Sequence, residues 1–170
     1  LVENFNNVNT VSKYATDNGI SMAIIGPENP LQEGLADALW ASGVPVIGPK
    51  KNLAKIETSK AFTRNLLKKY NIPGGPKFKV FKSIKGVQSF LKELGENYVV
   101  KFDGLAGGKG VKVSGDHLSS HKEALEYCKV LNTQNHQFVI EEKFIGQEFS
   151  LMSYSVGKTL KHMPAVQDHK

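Results

Sequence analysis

Apolar positions in the first fifty residues alternate between helical spacing and short unbroken runs. Val8, Val11, Tyr14 and Ala15 recur at helical intervals, and Asn18-Gly19 supplies a stop. Ser21 to Ile25, closed by Gly26-Pro27, reads as a buried strand. Leu31, Leu35, Ala38 and Leu39 form the next helical face, closed by Gly43, and Val44 to Ile47 is a second buried strand ending at Gly48-Pro49. Such helix–strand alternation predicts parallel strands with helices as crossovers. Ligands on sheets of this kind gather at the carboxyl ends of the strands, where both Gly-Pro turns fall.

From Leu53 the pattern is helical again: Leu53 and Ile56, then Phe62, Leu66, Leu67 and Tyr70, with Thr58 or Ser59 as N-cap of the second piece. Asn71-Ile72-Pro73-Gly74-Gly75-Pro76 is the strongest breaker in the chain and marks a domain junction. Phe78 to Phe81 reads as a strand. Ser83 is expected to cap a helix that turns Ile84, Val87, Leu91 and Leu94 inward and stops at Gly95. Two β-type runs then flank a glycine-rich loop, and a helix is predicted from about Ser120 to Leu131. Phe138 to Glu142 and Gln147 to Val156 read as strands, and Gly157 turns the latter into Thr159 to Val166. The order strand, helix, hairpin, helix, strand predicts a small α+β lid, so the chain as a whole is α/β.

Composition narrows the function classes. Hydrophobic content is 40% and charged content 22%, ordinary for a globular protein. No apolar run approaches the roughly 20 residues that a membrane span needs, and no basic segment followed by an apolar stretch opens the chain. The expectation is a cytoplasmic protein with no membrane partner. The single cysteine, Cys128, falls in a helical pattern and reads as a buried structural residue of a reducing compartment. The net charge of +6 comes from lysines scattered over most of the chain, without interleaved aromatics. That balance fits anionic small substrates, and no nucleic-acid partner is predicted.

The candidate chemistry is concentrated in Lys101 and the loop Gly104-Leu105-Ala106-Gly107-Gly108-Lys109-Gly110, which holds four glycines and a lysine within seven residues. Glycine permits tight turns and close approach to a ligand, and exposed N–H groups in such a loop attract phosphate. The pattern predicts a polyphosphate, most simply a nucleoside triphosphate. It is not the common G-x-x-x-x-G-K-[ST] loop: it is one residue short, and Gly110 sits where Ser or Thr should be. The alternative is a flexible hairpin tip. A second group, Glu141 to Glu148, is a strand running into an acidic linker. Its backbone can offer an adenine-like edge one carbonyl and one N–H, and Glu148 can accept from ribose hydroxyls; the alternative is solvated edge charge. Third, Ser59-Lys60-Ala61-Phe62 starts a helix with a lysine near the junction, which taken alone is an ordinary exposed helix lysine.

In this order the segments resemble the ATP-grasp ligases, in particular the family that joins glycine to 5-phosphoribosylamine. The family's phosphate loop, close to V-x-K-A-D-G-L-A-A-G-K-G-V, is matched at Lys101, Asp103, Gly104, Leu105, Ala106, Gly108, Lys109, Gly110 and Val111. Gly26-Pro27-Glu28-Asn29-Pro30-Leu31, Val46-Ile47-Gly48-Pro49, Ser59-Lys60-Ala61-Phe62, Ile140-Glu141-Glu142 with Gly146, Glu148 and Ser150, and Gln167-Asp168-His169-Lys170 match further segments. Phe102 replaces a small residue, and Gly107 replaces the second loop alanine, a change expected to loosen the loop.

The resemblance implies the end of an N-terminal parallel α/β domain over 1–56, a connecting helix and junction over 57–76, the small ATP-grasp lid over 77–143, and the start of the large ATP-grasp half over 144–170. It implies ATP, with Lys60, Lys101 and Lys109 at the phosphates (Lys101 and Lys109 as catalytic groups) and Gly104, Gly107, Gly108 and Gly110 in a closing loop. Glu141 and Phe144 would hold adenine through their backbones, with Glu142 beside them, and Glu148 would hold the ribose. Glu28, Asp168 and His169 would lie towards the substrates, glycine and 5-phosphoribosylamine. The implied Mg2+ or Mn2+ would take its Glu and Asn ligands from beyond Lys170. The segment is therefore expected to be an internal fragment, inactive alone.

Overall fold

The computed structural model describes residues 4–107 and 109–167. Helix Val8–Asp17 (α1) starts where the Asn7 side chain accepts from the Thr10 N–H at 3.0 Å. Strands Ala23–Ile24 (β1) and Val46–Ile47 (β2) pair in parallel, with Ala23 opposite Val46 and Ile24 opposite Ile47. Both are shorter than the apolar runs suggest, and neither is fully buried: Ile24 is 70% and Ile47 41% exposed. The pleat sends alternate side chains to opposite faces. Ala23 and Val46 pack onto Leu35, Leu39 and Val44, while the isoleucines point the other way.

The helix expected around Leu31 is two helices, Glu28–Glu33 (α2) and Leu35–Ala41 (α3), parted at Gly34 in the left-handed region, φ 94°. Glu28 therefore belongs to the first turn of a helix rather than to a strand-end turn. Pro30 is tolerated there because the first turn leaves its N–H groups unpaired anyway. Helix Lys51–Thr58 (α4) follows, with the Asp37 carboxylate accepting from the Lys51 N–H at 2.8 Å.

Ser59 is extended and caps helix Lys60–Lys69 (α5), accepting from the Phe62 N–H at 3.1 Å. The breaker after α5 turns through Asn71, φ 52°, and Gly74, φ 87°. Asn tolerates the left-handed region better than other side chains, and the Ile72 N–H closes the helix end on the Leu67 carbonyl.

The second unit is built from strand Phe78–Phe81 (β3), helix Val87–Leu94 (α6), strands Tyr98–Phe102 (β4) and Val111–Val113 (β5), helix His121–Thr133 (α7) and strand Phe138–Glu142 (β6). The sheet is antiparallel throughout, in the order β3-β6-β4-β5. Ser83 does not cap α6: the helix opens four residues later, after Gly86 at φ 83°, and Ile84 still packs on the core from the preceding turn. One face of the sheet buries Phe81, Val100, Phe138 and Ile140 against Leu91, Ala124 and Cys128 of α6 and α7. Phe81 and Phe138 stack with centroids 5.6 Å apart. Each fully buried large side chain contributes roughly 1.5–3 kcal/mol, so this dozen-residue cluster anchors the unit. Burial pushes the Cys128 thiol up to about 12. The opposite face carries Val99, Lys101, Val139 and Glu141, the positions left over by the same alternation.

Beyond Glu142, strands Ser153–Val156 (β7) and Thr159–His162 (β8) form a hairpin through Gly157, φ 59°. They are shorter than the predicted Gln147–Val156 and Thr159–Val166; beyond them the pairing continues through the Met163 N–H on the Met152 carbonyl and an isolated bridge between Ser150 and Val166. All eight strand residues are exposed, so no packed face lengthens them. Among the described residues no helix is long and apolar enough to cross a membrane.

Candidate nucleotide-binding site

Lys101 and Glu141 stand on neighbouring strands of the face away from α6 and α7, and α5 lies against β6 on that face. Glu141 is 3% exposed. Arg64 of α5 grips its carboxylate bidentately, Nε to Oε2 at 2.6 Å and Nη2 to Oε1 at 3.0 Å, and the Lys101 ammonium pairs with Oε1. Burial pushes the Glu141 carboxyl up, but the hydrogen bonds and charges of Arg64 and Lys101 outweigh it and hold the group below the usual carboxylate range. The three side chains form the floor of an open cleft of about 290 Å³, walled by Pro76, Val99, Val113 and Lys143, with Phe144 at its edge.

The glycine loop joins β4 to β5, and two residues tie its root to the start of α5. Asp103 accepts from the Ser59 hydroxyl at 3.0 and 3.2 Å, from the Ala61 N–H at 3.0 Å and from Gln137 at 2.7 Å. Lys60 donates from Nζ to the Gly104 carbonyl at 2.9 Å. Two of the glycines have a packing reason of their own. A Cβ on Gly104 would stand 2.6 Å from the Phe102 ring, and one on Gly110 would stand 2.8 Å from Ala106 Cβ and 3.0 Å from Phe102 Cβ. Phe102 therefore fills the loop's underside, edge-on to His136 at 4.8 Å. Gly107 has open space around it and is exposed, at φ 53°. Lys109, two positions on, is exposed, its N–H closing a turn on the Ala106 carbonyl at 2.9 Å.

At the cleft's mouth the main chain leaves the sheet. The Lys143 N–H bonds the Asn97 carbonyl at 3.1 Å, and two positions earlier Glu141 faces Val99 in the same ladder, in a hydrogen-bonded position. The backbone of Glu141 is thus committed to the sheet, and the expectation that it holds adenine through its backbone does not fit. Its side chain instead lines the cleft, paired with Arg64 and Lys101. The Glu142 N–H bonds the Lys77 carbonyl at 2.9 Å, while the Lys77 N–H is taken by the Glu142 carboxylate at 3.3 Å. Among the described residues nothing bonds the Glu142 carbonyl or the Phe144 N–H. One free acceptor and one free donor therefore sit two residues apart at the cleft edge.

The structure gathers Lys101, Glu141, Glu142 and Phe144 at the cleft, and it groups Lys60, Gly104 and Gly110 around the loop root, Lys60 through the Gly104 carbonyl and both glycines against Phe102. Glu148 is exposed in the linker, and Glu28 is exposed on α2; neither makes a hydrogen bond or ion pair with the cleft residues among those described. Gly108, Asp168 and His169 lie outside the described residues. Arg64 was missed by sequence reasoning, although its position four residues after Lys60 puts both on one face of α5. Asp103 was recognised within the loop motif but given no role. Among the described residues no three His, Cys, Asp or Glu side chains group so as to hold a metal ion.

An antiparallel sheet backed by two helices, with a glycine loop and cationic cleft on its open side, is the architecture of the ATP-grasp class. The D-alanine–D-alanine ligase from Bacillus anthracis complexed with ATP shares this fold, with a TM-score of 0.72 at 20% identity over 97% of this chain and 53% of that one. The chain belongs to the phosphoribosylglycinamide synthetase family: residues 2–57 match its N domain and residues 58–170 its ATP-grasp (A) domain. The phosphoribosylamine–glycine ligase from Methanosarcina barkeri is 49% identical over all 170 residues. The crystal structure of the phosphoribosylamine–glycine ligase from Thermotoga maritima aligns with a TM-score of 0.63 at 32% identity, over 72% of this chain and 32% of that one. The chain spans 39% of the length of the Methanosarcina barkeri relative.

Proposed function

We propose that the protein carrying this chain is an ATP-dependent ligase that joins glycine to 5-phosphoribosylamine in purine biosynthesis, in the cytoplasm. A glycine carboxylate oxygen attacks the γ-phosphorus of ATP and ADP leaves. The amine of 5-phosphoribosylamine then attacks the carbonyl carbon of the glycyl phosphate and phosphate leaves, giving glycinamide ribonucleotide. The observation that carries the reading is the cleft itself. Lysines on a strand and a helix start border a glycine loop, and a free carbonyl and a free N–H stand at the other end.

In this reading the Glu142 carbonyl accepts from the adenine amino group and the Phe144 N–H donates to the ring, with the Phe144 side chain at the cleft edge. Glu141 sets the charge of the floor. Lys60, Lys101 and Lys109 compensate phosphate charge, and the loop with Gly104, Gly107, Gly108 and Gly110 closes over it, keeping water from the acyl phosphate. Glu148 is assigned to the ribose, and Glu28, Asp168 and His169 to the substrate side. The divisions 1–56, 57–76, 77–143 and 144–170 are assigned as substrate-domain end, connector, lid and start of the large half. ATP brings Mg2+ or Mn2+, which would screen phosphate charge; the described residues offer no ligand set for it.

The test is ADP release by the full-length protein. Release that requires glycine and 5-phosphoribosylamine together is expected. Turnover with a different acid and amine, and none with this pair, overturns the assignment. ATP-dependent stabilisation without ADP release marks a nucleotide-binding protein that is not a ligase.

A further inference from the structure

The Glu141 carboxylate is held by two cations, and the two are not equivalent. Arg64 spans both oxygens with its planar fork, whereas Lys101 meets Oε1 alone. A guanidinium matched to a carboxylate in this way is committed to it by geometry, while an ammonium on a flexible four-carbon stem is a movable point charge. Both side chains keep an exposed edge at the cleft, 22% for Arg64 and 24% for Lys101, against 4% for that of Glu141.

We propose that Arg64 is a positioning residue that frees Lys101 for phosphate: it retains the Glu141 carboxylate when the Lys101 ammonium turns to an incoming nucleotide. The proposal rests on the ATP reading above and deepens it. A carboxylate buried this far cannot lose both partners, because an uncompensated buried charge is strongly destabilising. With lysine as sole partner, every gain at the phosphate would be offset by that loss. With the arginine fork in place, Lys101 leaves and the carboxylate stays paired. One carboxylate with two cations leaves the cleft floor at +1, the sign that draws an anion.

The test compares the effect of R64M in two backgrounds of the full-length protein, wild type and E141Q. Calorimetry is run with a non-hydrolysable ATP analogue plus Mg2+, and separately with adenosine. In the wild-type background R64M is expected to weaken the ATP analogue by about tenfold or more while leaving adenosine binding unchanged, since only phosphate calls on Lys101. In the E141Q background the same substitution is expected to change affinity by no more than about twofold, because no carboxylate charge remains to be held. A tenfold loss in both backgrounds means that Arg64 touches the nucleotide itself and overturns the proposal. So does equal weakening of adenosine, which marks a merely structural role, or an R64M protein that binds like the wild type. Should R64M not fold, the E141Q background alone decides by the same criterion. Wild-type protein with no affinity for the ATP analogue removes the ATP reading and this proposal together; the other overturning results leave that reading standing.

Discussion

Asp103 and Ser59, forty-four positions apart in the chain, join the root of the glycine loop to the first turn of α5. The Ser59 hydroxyl donates to both Asp103 oxygens, and its own oxygen caps the Phe62 N–H. With Lys60 bonded to the Gly104 carbonyl, the loop's root and the helix start form one mechanical piece. Lys60 is thereby held at a fixed spacing from the base of the loop.

Asp103→Ala removes the acceptor for the Ser59 hydroxyl, the Ala61 N–H and the Gln137 amide. Leaving part-buried donors unpaired is expected to cost about 2–3 kcal/mol in urea unfolding. Ser59→Ala should cost about 1 kcal/mol as a lost cap. The double variant should fall short of the sum, since both remove the same bond.

The loop glycines should separate by substitution to alanine. At Gly110 the new methyl meets Ala106 and Phe102, and overpacking predicts a cost of about 1–3 kcal/mol with displacement of the loop. At Gly107 it meets open space, so only the left-handed backbone resists, at about 1 kcal/mol. Phe102→Ala should relieve a Gly104→Ala variant, because the ring is what the added Cβ would strike. Thermal melts of the single and double variants measure the difference, and a Gly107→Ala variant worse than Gly110→Ala would contradict the packing account.

The Glu141 carboxyl titrates below its ordinary value in the folded protein. Its ion pairs contribute fully above the unfolded value of about 4.3, where the unfolded chain also carries the charge. As pH falls below that, the unfolded state takes up the proton first, and the contribution is lost through the folded pKa. Urea midpoints measured from neutral pH downward should therefore drop, and the drop should be smaller in E141Q.

Cys128 makes the opposite prediction at the alkaline end. Its thiol is fully buried and pushed up to about 12 by burial, so the folded state holds the proton after the unfolded state has released it. Stability should decline as pH rises from about 8.5 to the folded value, by up to about 1.4 kcal/mol per unit. An aromatic disulfide reagent at pH 8 should label Cys128 only at the rate of unfolding. Rapid labelling of the native protein would refute its burial.

Much of this architecture was legible from residue order because the signals are local. Strand Phe78–Phe81, strand Phe138–Glu142, the helix starting near Ser120 and the hairpin around the glycine loop follow from period and breaker. The misreadings fall where a non-local term decides. Apolar runs at Ser21 to Ile25 and Val44 to Ile47 predicted buried strands, but pleating buries only alternate residues when one face is covered. Ser83 has the chemistry of a cap, but the left-handed Gly86 sets the start of α6.

Residue order alone pointed to the class of chemistry: a glycine–lysine loop, a lysine at a helix start and an acidic strand end each have a bland reading singly, and it is their succession in one order that carries the resemblance. Which groups share the cleft, and which are ion-paired there, depends on the packing of α5 on the sheet. Arg64 and Glu141 are seventy-seven positions apart, and nothing local to either shows that they meet. Their pairing depends on α5 lying across the sheet. Strand alternation then turns Glu141 and Lys101 towards that helix and commits the Glu141 backbone to its neighbours. The free carbonyl therefore falls at Glu142, where the last ladder bond has gone to a side chain.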